Sequence, residues 1–126
     1  MSDKKHILIV EDDPYIARVY ERKFKAEGFS VSVARNGEEG LVRVREETPV
    51  IILLDLVMPK KDGFEFIHDM KRDESIPKIP VVVLTNLGQE HDVERAQSLG
   101  ISAYLLKSNM SIQDVFEKVQ ETIAKK

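Results

Sequence analysis

The sequence contains no cysteine, so disulfide bonds, thiolate catalysis and cysteine-ligated metal sites are excluded. It also has no apolar run that approaches the length of a membrane span. The apolar run after His6 is too short for a signal peptide. The net charge is -3, so the chain offers no basic field to a nucleic acid backbone. These absences indicate a cytoplasmic protein that binds no nucleic acid directly and no membrane.

What the sequence does contain is typical of one globular domain. The chain has 126 residues, of which 42% are hydrophobic and 33% are charged, and a chain of this length can bury a core without cross-links. No linker or low-complexity tract divides it. We therefore expect residues 1–126 to form a single domain with no output domain attached.

Short apolar runs alternate with longer amphipathic segments. Three runs are continuously apolar, as in strands buried on both faces: Ile7–Val10, Val50–Leu54 and Val81–Leu84. Two weaker runs, Val31–Ala34 and Tyr104–Leu106, suit the edges of a sheet. About five strand–helix units predict an α/β fold with a parallel sheet. A flavodoxin-like (βα)5 doubly wound sheet with strand order 2-1-3-4-5 puts the continuous runs at its centre.

Capping residues mark the starts of four predicted helices. Asp13 precedes a proline, which is favoured at the first helical position. Asn36 and Asp62 each stand three residues before a glutamate, as in a capping box, and Ser111 stands three residues before an aspartate in a weaker version of the pattern. The sequence therefore predicts helices that begin just after these four residues.

Polar residues follow four of the predicted strands. The first strand ends in Glu11-Asp12-Asp13, the third in Asp55, the fourth in Thr85 and the fifth in Lys107. The carboxyl ends of parallel strands lie at one edge of a sheet, so these side chains should converge there in an acidic pocket. Clustered carboxylates need a cation, and an all-oxygen cluster without His or Cys suits Mg²⁺. A carboxylate in such a site can attack a phosphoryl group, while the lysine neutralises charge and pairs with Asp55 at rest.

The histidines show no spacing of metal ligands. His6, His68 and His91 are scattered along the chain. We expect all three at the surface, without a chemical role.

Together, these residues resemble the response-regulator receiver family, which is CheY-like. The resemblance rests on Ile7–Asp13, on the segment Asp55-Leu56-Val57-Met58-Pro59-Lys60-Lys61-Asp62-Gly63, on Thr85 and on Tyr104–Lys107, and it covers essentially the whole chain. It implies that Asp55 is the phosphoacceptor of a stand-alone receiver domain.

The resemblance also implies a Mg²⁺ site around the phosphoacceptor. Asp12 and Asp55 would be direct ligands, the backbone carbonyl of Val57 a third, and Glu11 would act through a water molecule. Thr85 and Lys107 would bind the phosphoryl group, and Tyr104 matches the switch aromatic of the family. In receivers the positions of Val57 and Leu87 overlook the approach of water, and both are apolar here.

Such a domain would act in a two-component phosphorelay. It would accept a phosphoryl group from a histidine kinase or phosphotransfer protein and signal through a partner on the face of the fourth helix, fifth strand and fifth helix. It would assist its own phosphorylation and dephosphorylation with Mg²⁺ without being a conventional enzyme. The alternative is a pseudo-receiver, a protein-interaction module that never takes phosphate.

Two enzyme or carrier classes fit less well. A flavin-binding electron carrier needs a phosphate-binding loop after the first strand, and the three acids there repel phosphate. A phosphatase with an aspartate nucleophile usually has a second acid shortly after it, whereas Asp55 is followed by Leu56, Val57 and Met58.

Two residues depart from the family pattern. Ser108 follows Lys107 where receivers usually have a proline in a cis bond, and a non-proline cis bond costs about 2.5–4 kcal/mol. We therefore predict a trans Lys107–Ser108 bond and a different path into the last helix. Asn86 follows Thr85 where a small residue is usual, and it should crowd the space into which Tyr104 would swing.

Overall fold

The computed structural model describes residues 4–125, in which strands and helices alternate. The elements are β1 (His6–Val10), α1 (Pro14–Ala26), β2 (Ser30–Ala34), α2 (Gly37–Glu46), β3 (Ile51–Leu54), α3 (Gly63–Arg72), β4 (Val81–Thr85), α4 (Glu90–Ser98), β5 (Ala103–Leu106) and α5 (Ile112–Ala124). No helix among the described residues combines the length and apolar character needed to cross a bilayer.

All five strands form one parallel sheet in the order β2-β1-β3-β4-β5. The three continuously apolar runs occupy the centre, where every residue of β1, β3 and β4 is buried, and the weaker runs form the two edges. The predicted flavodoxin-like order is therefore confirmed. Burial on both faces explains why the central strands are apolar without alternation.

The helices cover both faces of the sheet and divide the core in two. On one face, α1 and α5 pack through Phe24, Phe29 and Phe116, whose rings meet edge to face or tilted. On the other face, α2, α3 and α4 pack around Phe66 and Ile67. The core thus consists of two packed layers, one on each face of the sheet.

The predicted helix starts are confirmed. The Asp13 carboxylate accepts the backbone N–H groups of Tyr15 and Ile16, so it caps α1. Asp62 and Ser111 each form a reciprocal capping box. Asn36 caps α2 by accepting the N–H of residue 39. The weaker signal at Ser111 therefore gives a complete box.

His6 does not lie at the surface, so that prediction was wrong. It is buried in β1, and its Nδ1 and Nε2 atoms lie 2.6 and 2.8 Å from the hydroxyls of Ser30 and Ser32. The reason is the register of β1 with the edge strand β2, which aligns His6 with Ser30 and places two serine hydroxyls beside the ring. His68 and His91 are exposed as expected.

The peptide bond after Lys107 has the predicted trans geometry. No peptide bond among the described residues is cis, so the Lys107–Ser108 bond is trans. Lys107–Asn109 form one turn of 3₁₀ helix, and Met110 leads from it in extended conformation to the cap of α5. The lysine therefore begins this turn directly at the end of β5.

Candidate functional site

Three polar side chains are buried at the carboxyl edge of the sheet. Glu11 follows β1, Asp55 follows β3 and Thr85 ends β4, with exposed fractions of 5%, 8% and 0%. Val10 and Leu54 are partners in the β1–β3 ladder, so the acids that follow them are neighbours. The Asp55 N–H extends this ladder by donating to the Val10 carbonyl at 3.0 Å.

The ammonium group of Lys107 lies between the two buried acids. Its Nζ atom is 2.8 Å from Glu11 Oε1 and 3.0 Å from Asp55 Oδ2. The expected resting pair between Lys107 and Asp55 is therefore present. The ion pair of Lys107 with Glu11 was not predicted from the sequence.

Burial and charge act against each other in this cluster. Burial raises the pKa of Glu11, and the contact with Lys107 only partly offsets that rise. Burial alone would lower the pKa of Lys107, but its bonds to Glu11 and Asp55 outweigh burial and raise that pKa. The lysine is therefore held in its charged form by the two carboxylates.

The other oxygen of each buried acid accepts a backbone N–H group. Glu11 Oε2 accepts from Asp13 at 3.1 Å, and Asp55 Oδ1 accepts from Val57 at 3.3 Å. These bonds fix both carboxylates to the loops that follow their strands. The site is thus ordered by its own backbone.

The three successive acids after β1 do not enter the pocket together. Glu11 points into the cluster, Asp13 caps α1, and Asp12 is exposed to solvent. Within residues 4–125, no three His, Asp or Glu side chains are grouped closely enough to hold a metal ion. The convergence on the pocket is therefore confirmed for Glu11, whereas Asp13 serves as the predicted helix cap and Asp12 faces solvent, because adjacent residues at a strand end point in different directions.

The donor chemistry of the site nevertheless fits a hard cation. Lys107 already places one positive charge between two carboxylates, which shows that this position favours a cation. The atoms that contact this charge, Glu11 Oε1 and Asp55 Oδ2, are carboxylate oxygens, the ligand type that Mg²⁺ prefers.

The loop after β4 is held from two sides. Thr85 Oγ1 accepts the N–H of Leu87 at 3.4 Å, and the Tyr104 hydroxyl donates to the Leu87 carbonyl at 2.6 Å. Tyr104 is half-buried, and burial raises the pKa of its hydroxyl. Asn86 is exposed, and Tyr104 reaches this loop beside it. The predicted crowding of a swung Tyr104 by Asn86 stays a prediction.

Comparisons with known proteins agree on one family. The family model described as "Response regulator receiver domain" matches residues 7–120. The chain belongs to this family. It is 39% identical over 113 residues to the gliding motility regulatory protein of Myxococcus xanthus, and 34% identical over 114 residues to the DNA-binding dual master transcriptional regulator RpaA of Synechocystis. These matches cover 89% and 90% of the chain but only 14% and 47% of the two relatives.

A solved structure supports the same conclusion. The CheY-like response regulator receiver domain protein from Methanospirillum hungatei superimposes with a TM-score of 0.88 at 26% identity. The match covers 98% of this chain and 96% of that one. Receiver domains are signalling modules of two-component systems rather than conventional enzymes, and Mg²⁺ binding is a general property of the family.

The pH dependence of the metal-free receiver domain follows from Glu11. Burial in the folded state raises the pKa of Glu11 above 4.5, so ionisation of Glu11 opposes folding. The domain therefore becomes less stable as the pH rises through the folded-state pKa of this residue. Glu11→Gln imitates the protonated acid. We expect it to stabilise the metal-free domain at pH 7 and to do so less near pH 4.5, the ordinary pKa of a glutamate, measured by urea unfolding in EDTA. An equal gain at both pH values would contradict the assignment.

Proposed function

We propose that this receiver domain accepts a phosphoryl group on Asp55 from a histidine kinase or phosphotransfer protein and signals through a partner protein. The supporting observation is the position of the Asp55 carboxylate, held at the edge of the sheet with Lys107 Nζ at 3.0 Å. The buried hydroxyl of Thr85 lies at the end of the adjacent strand. A nucleophile in contact with a cation, and a hydroxyl donor at the end of the neighbouring strand, support this edge as the place where a phosphoryl group would be accepted.

In the transfer step, a carboxylate oxygen of Asp55 forms a bond to phosphorus. The bond between phosphorus and the donor imidazole breaks, and its electron pair leaves with the imidazole. Lys107 and Thr85 bind oxygens of the transferred group, which neutralises and orients it. Such a reaction depends mainly on positioning and on compensation of charge, which rigid strand ends can supply.

Asp12, Asp55 and the Val57 carbonyl would hold Mg²⁺ directly, and Glu11 would contact it through water. When bound, the ion neutralises phosphoryl and carboxylate oxygens and aligns them. The exposed position of Asp12 leaves its carboxylate open to the solvent from which the metal enters. Glu11 is buried and paired with Lys107, which suits an indirect role.

The signalling surface would consist of α4, β5 and α5. Of the residues of α4, only Ala96 is buried, and β5 is an edge strand whose residues are all half-buried. Thr85, Tyr104 and Lys107 connect this region to the pocket. A phosphoryl group that draws Thr85 and Lys107 inwards would change the loop held by Tyr104 and shift this surface between two states.

Transfer of radiolabel tests this function. A phosphorylated histidine kinase or phosphotransfer protein and a small acyl phosphate are each mixed with the domain, with Mg²⁺ or with EDTA. We expect uptake that needs Mg²⁺ and is absent in Asp55→Asn. If no donor transfers label to the domain in Mg²⁺, the pseudo-receiver is favoured. A pull-down with a stable phosphoryl mimic would then have no phosphorylated state to imitate.

The lifetime of the phosphorylated state should be long. Val57 is 58% exposed and Leu87 half-buried, and neither side chain can hydrogen-bond an attacking water. Their bulk shields the acyl phosphate. Val57→Asn combined with Leu87→Glu should speed loss of label by about ten-fold, which corresponds to about 1.4 kcal/mol of barrier. The measurement is decay of purified labelled protein in Mg²⁺. A wild-type half-life of seconds, or no acceleration in the double variant, would contradict this prediction.

A further inference from the structure

Lys61 is fixed on three sides in the loop between Asp55 and α3. Its carbonyl accepts the N–H of Gly37, the first residue of α2, at 2.8 Å. Its Cβ and Cγ atoms lie against the same glycine, where an added Cβ would come within 2.7 Å of the Lys61 carbonyl oxygen and Cγ. Its ammonium group makes a close ion pair with Asp69 of α3. The residue thereby joins the loop to two helices.

The ion pair is partly sheltered from solvent. The exposed fractions of the Lys61 and Asp69 side chains are 25% and 34%. The hydrogen bond with Asp69 raises the pKa of Lys61, and the same bond lowers the pKa of Asp69. The Nδ1 atom of His68 also lies 3.5 Å from the Asp69 carboxylate. Both partners therefore stay charged across the physiological range.

The rest of the loop is held mainly at its ends. The Val57 N–H donates to Asp55 Oδ1 at 3.3 Å, and the Gly63 N–H donates to the Leu56 carbonyl at 3.0 Å. Met58 packs into the core between them. Lys60 adopts the left-handed conformation with a φ of 63°, which few non-glycine residues favour. Next to this bend, Lys61 supplies contacts to α2 and α3.

We propose that Lys61 is a positioning residue for the metal site: it braces the loop on which Val57 presents its backbone carbonyl. This inference rests on the proposed function, because it assigns that carbonyl to Mg²⁺. Lys61 does not touch the site itself. Its loss should weaken Mg²⁺ binding through a looser loop and leave the phosphoryl transfer nearly unchanged once the metal is saturating.

Lys61→Met tests the proposal, because methionine keeps the packing over Gly37 and removes the ammonium group. Titration calorimetry with Mg²⁺ alone should give a dissociation constant about ten-fold higher than that of the wild type, as for supporting partners of metal ligands. Lys61→Arg should restore most of the affinity. Lys60→Met removes the same charge from the exposed neighbouring residue and should change the constant by less than about two-fold.

Two further readouts separate bracing from general destabilisation. Amide hydrogen exchange of residues 57–62, without metal, should be faster in Lys61→Met and unchanged in Lys60→Met. The rate of labelling at saturating Mg²⁺ should stay within about two-fold of the wild type, since the reacting groups are untouched. Asp69→Asn breaks the same ion pair from α3 and should reproduce these results, which keeps the test valid if Lys61→Met does not fold.

The outcomes distinguish this inference from the proposed function. If the wild type binds no Mg²⁺ or takes no label, the proposed function fails. If the wild type does both and Lys61→Met binds Mg²⁺ equally well, only the role of Lys61 is overturned. A loss of affinity that Lys60→Met shares would also overturn it, because overall charge would then be the cause.

Discussion

Lys107→Met should destabilise the metal-free receiver domain by about 3 kcal/mol, because it leaves two buried carboxylates beside each other without a counter-charge. In the resting structure, Lys107 contacts Glu11 at 2.8 Å and Asp55 at 3.0 Å, and both acids are buried. Methionine fills a similar volume but cannot compensate either charge. The variant should also bind Mg²⁺ more tightly, because the ion no longer competes with the ammonium group for these oxygens.

Urea unfolding with EDTA and with Mg²⁺ measures this effect. Mg²⁺ at about 100 times its dissociation constant should restore about 2.7 kcal/mol to the variant by binding the folded state. Lys118→Met is the control, because Lys118 pairs with Glu121 at the exposed surface of α5 and such pairs contribute at most about 1 kcal/mol. Equal unfolding of the two variants in EDTA would show that Lys107 does not hold the acids together.

Asp12→Asn should weaken Mg²⁺ binding by about 100-fold, or about 2.7 kcal/mol, because it removes one full charge from the ligands of a divalent ion. Asp12 is exposed, and its side chain makes no hydrogen bond or ion pair within residues 4–125. The stability of the metal-free domain should therefore change little. Calorimetric titration with Mg²⁺ and urea unfolding in EDTA measure the two effects separately.

The neighbouring acid provides a matched control. Asp13→Asn removes the same charge one residue away, and asparagine can still cap α1. Its affinity for Mg²⁺ should stay within about three-fold of the wild type, since its carboxylate faces the helix start. Equal losses in Asp12→Asn and Asp13→Asn would mean that general charge, rather than direct ligation by Asp12, governs binding.

The fold could be predicted from the sequence because its signals are local. Continuous apolar runs marked the central strands, and capping residues such as Asp62 marked the helix starts. The location of the site followed as well, because parallel strands end at one edge. Asp55, Thr85 and Lys107 all lie at that edge as expected.

The missing details depend on contacts across the sheet. His6 looked like a surface residue because its partners, Ser30 and Ser32, stand more than twenty positions away on the edge strand. The bridge from Lys107 to Glu11 depends on the register of β1 and β3, which periodicity does not define. Asp13 was predicted as the cap of α1, whereas the burial of Glu11 and the exposure of Asp12 could not be predicted, because the strand ends among these acids.

Locating the phosphoryl group by peptide mapping is the most direct test of the site. The domain is treated with a small acyl phosphate in Mg²⁺, the acyl phosphate is trapped by borohydride reduction, and the digest is sequenced by mass spectrometry. We predict modification at Asp55 alone, dependent on Mg²⁺. Modification at Asp12 or Glu11 with Asp55 unmodified, or no modification in Mg²⁺, would contradict Asp55 as the phosphoacceptor.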